Sequence, residues 1–347
     1  MISGAAANTF QNELTIVKIS NVEFYNVGQL FTLGGYAIYF NMLGDSPSSY
    51  ISECSIHQSF NRAVDVQGTN YITIEKTVIY DILGGALFLE DGVEIGNTFQ
   101  YNLAVYVMES TSLLNEDSTP GKINLIFFFS LLYLSFFLLF KLPFGLQIQT
   151  TQYSIMQSQV EVITVNCLGT LNRPEITLFF CKGYWYRLLN LASTATFGTF
   201  YNNTVHSVGS YGLWIFPTYT PSVSHATFEK FVSYLNDKGA EWVSSNKVQF
   251  KNFIVYDHAT SGIETKLIPG TSGSGYYGFF YDETNGPTIV NSTIIGNSDS
   301  SANSSITPIG LVIARDRGQL IKNINFFNFP DISSYAIRVA KVDGTCR

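Results

Sequence analysis

The sequence predicts an all-β fold, a parallel β-helix of ~22–26 residues per rung. Three observations carry this. A small residue followed by alternating apolar residues recurs at near-constant phase, a second short β-branched or aromatic run precedes each copy, and Gly- or Asn-rich turns separate them. The composition agrees, with 347 residues, 46% hydrophobic, 15% aromatic and only 13% charged side chains. That charge content is about half the usual quarter. It excludes a disordered chain and disfavours exposed helices, which lean on Glu and Lys. A net charge of −7 without a basic run argues against nucleic acid as a partner.

In chain order, the motif reads Ala63-Val64-Asp65-Val66, then Ala86-Leu87-Phe88-Leu89, Gly183-Tyr184-Trp185-Tyr186 and Gly212-Leu213-Trp214-Ile215. Further copies are Gly262-Ile263-Glu264-Thr265, Gly310-Leu311-Val312-Ile313 and Ala336-Ile337-Arg338-Val339. Successive starts lie 23 residues apart (63 to 86), 22 (240 to 262) and 26 (310 to 336), while 48 (262 to 310) fits two turns. Companion strands precede them at Tyr71-Ile72-Thr73-Ile74, Val248-Gln249-Phe250 and Thr288-Ile289-Val290. A β-sandwich would not keep one small residue in phase, and a doubly wound fold would need amphipathic helices, which are missing.

One stretch breaks the pattern. Ile123–Phe140 is uncharged, rich in Phe and Leu, and flanked by Lys122 and Lys141, so it reads as a transmembrane candidate. A second explanation lies in the codons. Gly121-Lys122 is encodable with a splice-donor start, and the Phe and Leu codons are rich in T, like the tract before an acceptor. Lys141 to Val165, read in a shifted frame, can yield ASFWITNPNNTIFNNAVAGGSHYG. The chain therefore divides into N-terminal rungs (1–121), a segment of retained introns around an out-of-frame exon (122–182), and C-terminal rungs (183–347). The segment is expected to stand outside the stack and leave a rung missing between Tyr106 and Trp185.

The run from Cys54 to Val64, with Val66-Gln67-Gly68-Thr69-Asn70, Gly84–Glu94, Asn97 and Tyr101-Asn102-Leu103, resembles the β-helix region of fibrocystin-L-like proteins and of the cell-migration-inducing hyaluronidase (CEMIP-type) family. Phe200–Ser207, Gly262–Lys266 and the shifted-frame strings carry the same resemblance. It spans about residues 15–345 apart from 122–182. The resemblance implies a right-handed, pectate-lyase-like β-helix, cut from a larger extracellular or cell-surface protein and lacking that family's eight-glycine domain. It implies either non-catalytic recognition of a glycan or protein, or an endo-acting glycosidase on a hyaluronan-like polysaccharide. A single-pass membrane protein is the remaining alternative, if 123–140 is a span.

Other features bound the chemistry. Four cysteines (Cys54, Cys167, Cys181, Cys346) give no disulfide framework and no zinc-ligand cluster. No nucleotide motif or nucleophile elbow occurs. No cofactor is expected, and the acidic residues lack the spacing of a calcium loop. The first residues are too weakly apolar for a signal peptide, so the mature start is expected to lie upstream. The sequons at Asn202, Asn291 and Asn303 fit a secreted chain.

With the small residue as phase zero, one outward column holds Asp65, Phe88, Trp185, Trp214, Trp242 and Glu264. The next outward column holds Gln67, Glu90, Arg187, Phe216 and Lys266; Glu241 fits this register badly. Aromatic faces beside charges suit a polysaccharide groove, with His57, Arg62 and His206 as further contacts. Loops covering this face, with the Trp residues as packing, are the competing expectation. Glycoside cleavage would require two carboxyl groups ~5–10 Å apart. Glu90, Asp91 and Glu94 form the densest acidic group, with Glu264 on another rung; capping of turn amides is their structural alternative.

Overall fold

The computed structural model describes residues 2–3, 15–30, 32–90, 92–108, 182–188, 194–221, 225–268, 286–298, 307–315, 318–329 and 334–340. Within them the chain winds as the right-handed parallel β-helix that the sequence predicts. A rung has three strands, as in Thr73–Glu75, Val78–Leu83 and Gly85–Leu89, or Val248–Lys251, Ile254–Tyr256 and Ser261–Leu267. The third strands, preceded by Ile2–Ser3, form a ten-stranded parallel sheet. First and second strands form a sixteen-stranded sheet whose two halves join at Thr288–Ile295. No described residue lies in a helix long and apolar enough to cross a membrane, and the 123–140 stretch lies outside the described residues.

In-register stacking turns every sequence position into a column. Ile51, Ile74, Phe99, Phe200, Phe228, Phe250 and Ile289 pair successively, and each is at most 2% exposed. Full burial of such a side chain contributes about 1.5–3 kcal/mol. The turn between first and second strands is a single left-handed residue, for example Glu53 (φ 56°), Tyr101 (φ 57°) and Asn202 (φ 52°). The next residue turns inward, and there asparagines ladder between rungs. Thr77 N donates to Asn102 Oδ1 (3.1 Å), and Asn102 N donates to Asn203 Oδ1 (3.0 Å).

The small residue of the motif sits where the third strand crosses close to its neighbours. A Cβ on Gly239 would press on the Gly262 carbonyl oxygen and the His258 ring. Here the structure corrects the sequence register. Ala240 pairs with Leu213 and Ile263, which point inward, so phase zero in this rung is Gly239 and the spacing to the next rung is 23 (239 to 262). Trp242 consequently lies in the core at 0% exposure, and Glu241 takes the outward place assigned to Trp242. The 48-residue interval is also one rung, since Ser261–Leu267 pairs directly with Ile309–Ile313.

Residues 109–181 lie outside the described residues, as does the proposed 122–182 segment except for Lys182, which opens the strand Lys182–Leu188. The stack closes across them. Phe88 pairs with Trp185, Phe99 with Phe200 and Ala104 with Val205, so no gap marks a missing rung. Joining Met108 to Lys182 by a single glycine, as Gly84 joins Val78–Leu83 to Gly85–Leu89, should preserve the fold. The shorter connection should add about 2 kcal/mol by lower closure entropy; urea unfolding measures this, and loss of the β-sheet circular dichroism would refute it.

His258 is fully buried; its Nε2–H donates to Ser233 O (3.1 Å), and burial lowers its pKa to about 4. Below about 6.5 the unfolded chain takes up a proton that the native imidazole refuses. Stability should therefore fall as pH drops from 6.5 towards 4, by about 3 kcal/mol at most from this group. Denaturation at pH 7 and pH 4.5 should show a smaller difference in His258→Asn.

Candidate functional site

The outer face of the ten-stranded sheet gathers most of the predicted residues. Its central column runs Tyr39, Asp65, Phe88, Trp185, Trp214, Glu241, Glu264, Val312, Arg338. The rings pack on one another, with centroids 4.3 Å apart for Phe88–Trp185 and 5.6 Å for Trp185–Trp214. Trp185 and Trp214 are each only 5% exposed, so the packing expectation describes them better than open stacking on a sugar.

A charged group sits on each side of this aromatic strip. In one, Arg62 Nη1 lies 2.8 Å from Asp65 Oδ2 and 3.8 Å from Glu90 Oε2, with its guanidinium 4.0 Å from the Phe88 centroid. Arg187 Nη1 lies 3.8 Å from Glu90 Oε1. In the other, Lys238 Nζ is 2.8 Å from Glu241 and 2.7 Å from Glu264, and Lys266 Nζ is 2.9 Å from Glu241. Trp214 Nε1 donates to Glu241 Oε1 (2.9 Å), tying strip to cluster.

Burial pushes the Asp65 carboxyl well above the ordinary carboxylate range; Arg62 opposes this and Glu90 adds to it. Burial also works against the charge of Lys238, but Glu241 and Glu264 outweigh it and hold the ammonium above its usual pKa.

A local rule generates this face. The residue before the small one and the residue two after it point outward together. Arg62/Asp65, Lys238/Glu241 and Ser261/Glu264 are this pair in three rungs. In a fourth, Lys182 Nζ sits 3.5 Å from the Trp185 centroid, with an indole face where the others have an acid. Lys182 and Lys238 were missed from sequence; the cation–x–x–acid spacing that Lys238/Glu241 shares with Arg62/Asp65 was the available signal for Lys238, whereas Lys182 is followed by an indole and lacks it.

The other predicted residues lie elsewhere. Glu94 is buried, and its Oε1 accepts from Gly68 N (2.8 Å), the turn-capping role. His57 lies on the sixteen-stranded sheet, stacked 4.6 Å from Tyr80 and 2.8 Å from Glu23 Oε1, apart from Arg62. His206 stacks on Tyr234 at 4.4 Å, and burial lowers its pKa. Asn202 and Asn291 are exposed corner residues; Asp91 and Asn303 lie outside the described residues. Among the described residues, no cluster of His, Cys, Asp and Glu could hold a metal.

Fold and face define a right-handed parallel β-helix protein with a charged, aromatic outer sheet. Comparison with known proteins specifies the group. Residues 4–125 match the CEMIP β-helix family. The chain is 34% identical to fibrocystin-L of Homo sapiens over 354 residues, 95% of this chain and 7% of that protein. A cell surface hyaluronidase of Danio rerio is 29% identical over 223 residues, 58% of this chain and 15% of that protein. Among solved structures, an alginate lyase from Paenibacillus sp. str. FPU-7 is similar at TM-score 0.44 and 11% identity, covering 94% of this chain and 87% of that chain. Over residues 4–125 the chain is thus similar to the CEMIP β-helix family, and over 95% of its length to fibrocystin-L, of which it spans about 7%.

Removing Glu241 would leave Lys238 with one carboxylate fewer and Lys266 without this carboxylate in a buried setting, which typically costs about 3–5 kcal/mol. Glu241→Gln should lower unfolding stability by about 3 kcal/mol, while Glu53→Gln, which breaks the exposed pair with Lys76 (3.1 Å), should leave the urea midpoint unchanged.

Proposed function

We propose that the chain is a recognition segment of a cell-surface or extracellular β-helix protein, and that it holds an acidic polysaccharide without cleaving it. The observation that supports this is the half-buried column beside the central one, where Glu90, Arg187, Phe216, Val243 and Lys266 follow one another along the stack. Arg187 and Lys266 flank the apolar pair Phe216 and Val243 at ~4.8 Å per rung, a spacing on the scale of sugar units. Cations can take carboxylates while Phe216 packs on a sugar face. The deeper acids suit support rather than catalysis, since Glu241 lies between two ammonium groups and Glu264 beside one. The name of the Danio rerio relative makes hyaluronan the first polymer to try.

One observation favours cleavage as a second reading. Asp65, whose carboxyl burial pushes above its ordinary pKa, and Glu90 both lie within 3.8 Å of one guanidinium nitrogen. Two neighbouring carboxyl groups, one of them with a raised pKa, are the pairing that glycoside hydrolysis uses. Asp65 is 0% exposed, so a substrate would reach it only after this face opened.

Calorimetric titration of the chain with hyaluronan oligosaccharides should show salt-sensitive binding. Arg187→Ala and Lys266→Ala should each weaken it about three- to tenfold with folding intact. Absence of binding sinks the first reading, whereas polymer shortening that vanishes in Asp65→Asn and Glu90→Gln establishes the second.

A further inference from the structure

We propose that the vertex of the β-helix opposite the ten-stranded sheet is a glycan-bearing edge, N-glycosylated at Asn202 and Asn291. The inference rests on the extracellular reading above, but on different residues.

The corner between first and second strands is one left-handed residue per rung, and later rungs place Asn202, Lys230, Asn252, Asn291 and Asn323 there in succession. Two of these corners continue as Asn-x-Thr, Asn202-Asn203-Thr204 and Asn291-Ser292-Thr293. Both have the same disposition. The corner Asn is exposed, the middle residue is buried inward, and the Thr stands half-buried at the start of the following strand segment. Three rungs separate them, or ~14 Å along the stack, so the two glycans would project from one edge.

The amide chemistry fits at both sites. N-glycosylation joins Nδ2 to C1 of an oligosaccharide carried on a lipid pyrophosphate. The C1–O bond breaks, the lipid pyrophosphate leaves with the electron pair, and Nδ2 loses one proton. Oδ1 keeps its lone pairs. Asn291 Oδ1 accepts from Asn323 Nδ2 (3.0 Å), a bond the product retains. The Asn202 side chain makes no hydrogen bond among the described residues, so a glycan there displaces none. Asn252 shows the contrast. Its Nδ2 donates to Glu229 Oε1 (3.1 Å), and Ile254 stands where a sequon needs a hydroxyl.

The fold alone favours Asn at a left-handed corner and Thr in a strand, so the triplets can arise from structure without modification. Chemical reading of the sites separates the two. The full chain is secreted from cultured animal cells behind a cleavable signal peptide, then treated with peptide-N-glycosidase in heavy-oxygen water. Labelled Asp is expected at 202 and 291, with one mobility step lost in each of Thr204→Ala and Thr293→Ala. These variants keep the corner Asn and therefore the fold. Unlabelled Asn at either position in secreted, folded protein overturns the proposal, as does label confined to Asn303. Titration of the same deglycosylated protein with hyaluronan reports separately on the polysaccharide reading. Because the edge lies opposite the ten-stranded sheet, glycan removal should leave that affinity unchanged, and a tenfold change would contradict the placement.

Discussion

Everything in this molecule depends on a left-handed corner repeated at fixed phase. A parallel stack in register requires each rung to turn by the same backbone device at the same place, and here that device is one residue with φ near 50–60°. For a non-glycine residue the conformation costs about 1–2 kcal/mol, yet Glu53, Lys76, Tyr101 and Lys230 all accept it. The ladder offsets the cost. Each corner donates its N–H to the next rung, as Tyr101 N does to Tyr201 O (3.0 Å), and the inward asparagines absorb the neighbouring amides. The corner thus satisfies backbone groups that a free turn would leave to water.

The same register governs the outer sheet. Columns bring like positions together, so a column of acids or of bases would repel itself at rung spacing. The chain offsets this by pairing charges within a rung, one before the small residue and one two after it, so that Arg62 meets Asp65 and Lys238 meets Glu241, and where Glu241 stacks on Glu264 the Lys238 ammonium contacts both. Where the acid is replaced by an indole, Lys182 lies over Trp185 and the column becomes aromatic. The two charged groups and the strip between them are therefore variants of one arrangement.

The interior third strands were legible because alternation and a small residue survive in almost every rung. The rung with Lys238-Gly239-Ala240 was misread because two adjacent small residues offer two phases, and Ala240 gives the wrong one. Sterics decide it, since only the glycine tolerates the crossing at Gly262. The misfit of Glu241 was the visible symptom. Corners such as Lys76 and Tyr101 could not be read at all, because tertiary pairing overrides their propensity. The separation of His57 from Arg62 was equally hidden. Five residues of sequence carry the chain from the sixteen-stranded sheet to the ten-stranded one.

The aromatic strip bears on the origin of the interrupting segment. Phe88, Trp185 and Trp214 each stand two places after the small residue of their rung. With allowed third bases, the codons of Lys141–Val165 can yield Ser-Phe-Trp-Ile in a shifted frame, which has the small residue and the Trp at that same separation. A rung with this sequence, inserted between Gly85–Leu89 and Lys182–Leu188, would extend the aromatic column instead of breaking it. The direct pairing of Phe88 with Trp185 in the chain as written then reflects how little a stack of this kind constrains its own length. Any rung offering the corner, the small residue and an outward aromatic can be added or removed without disturbing those above and below it.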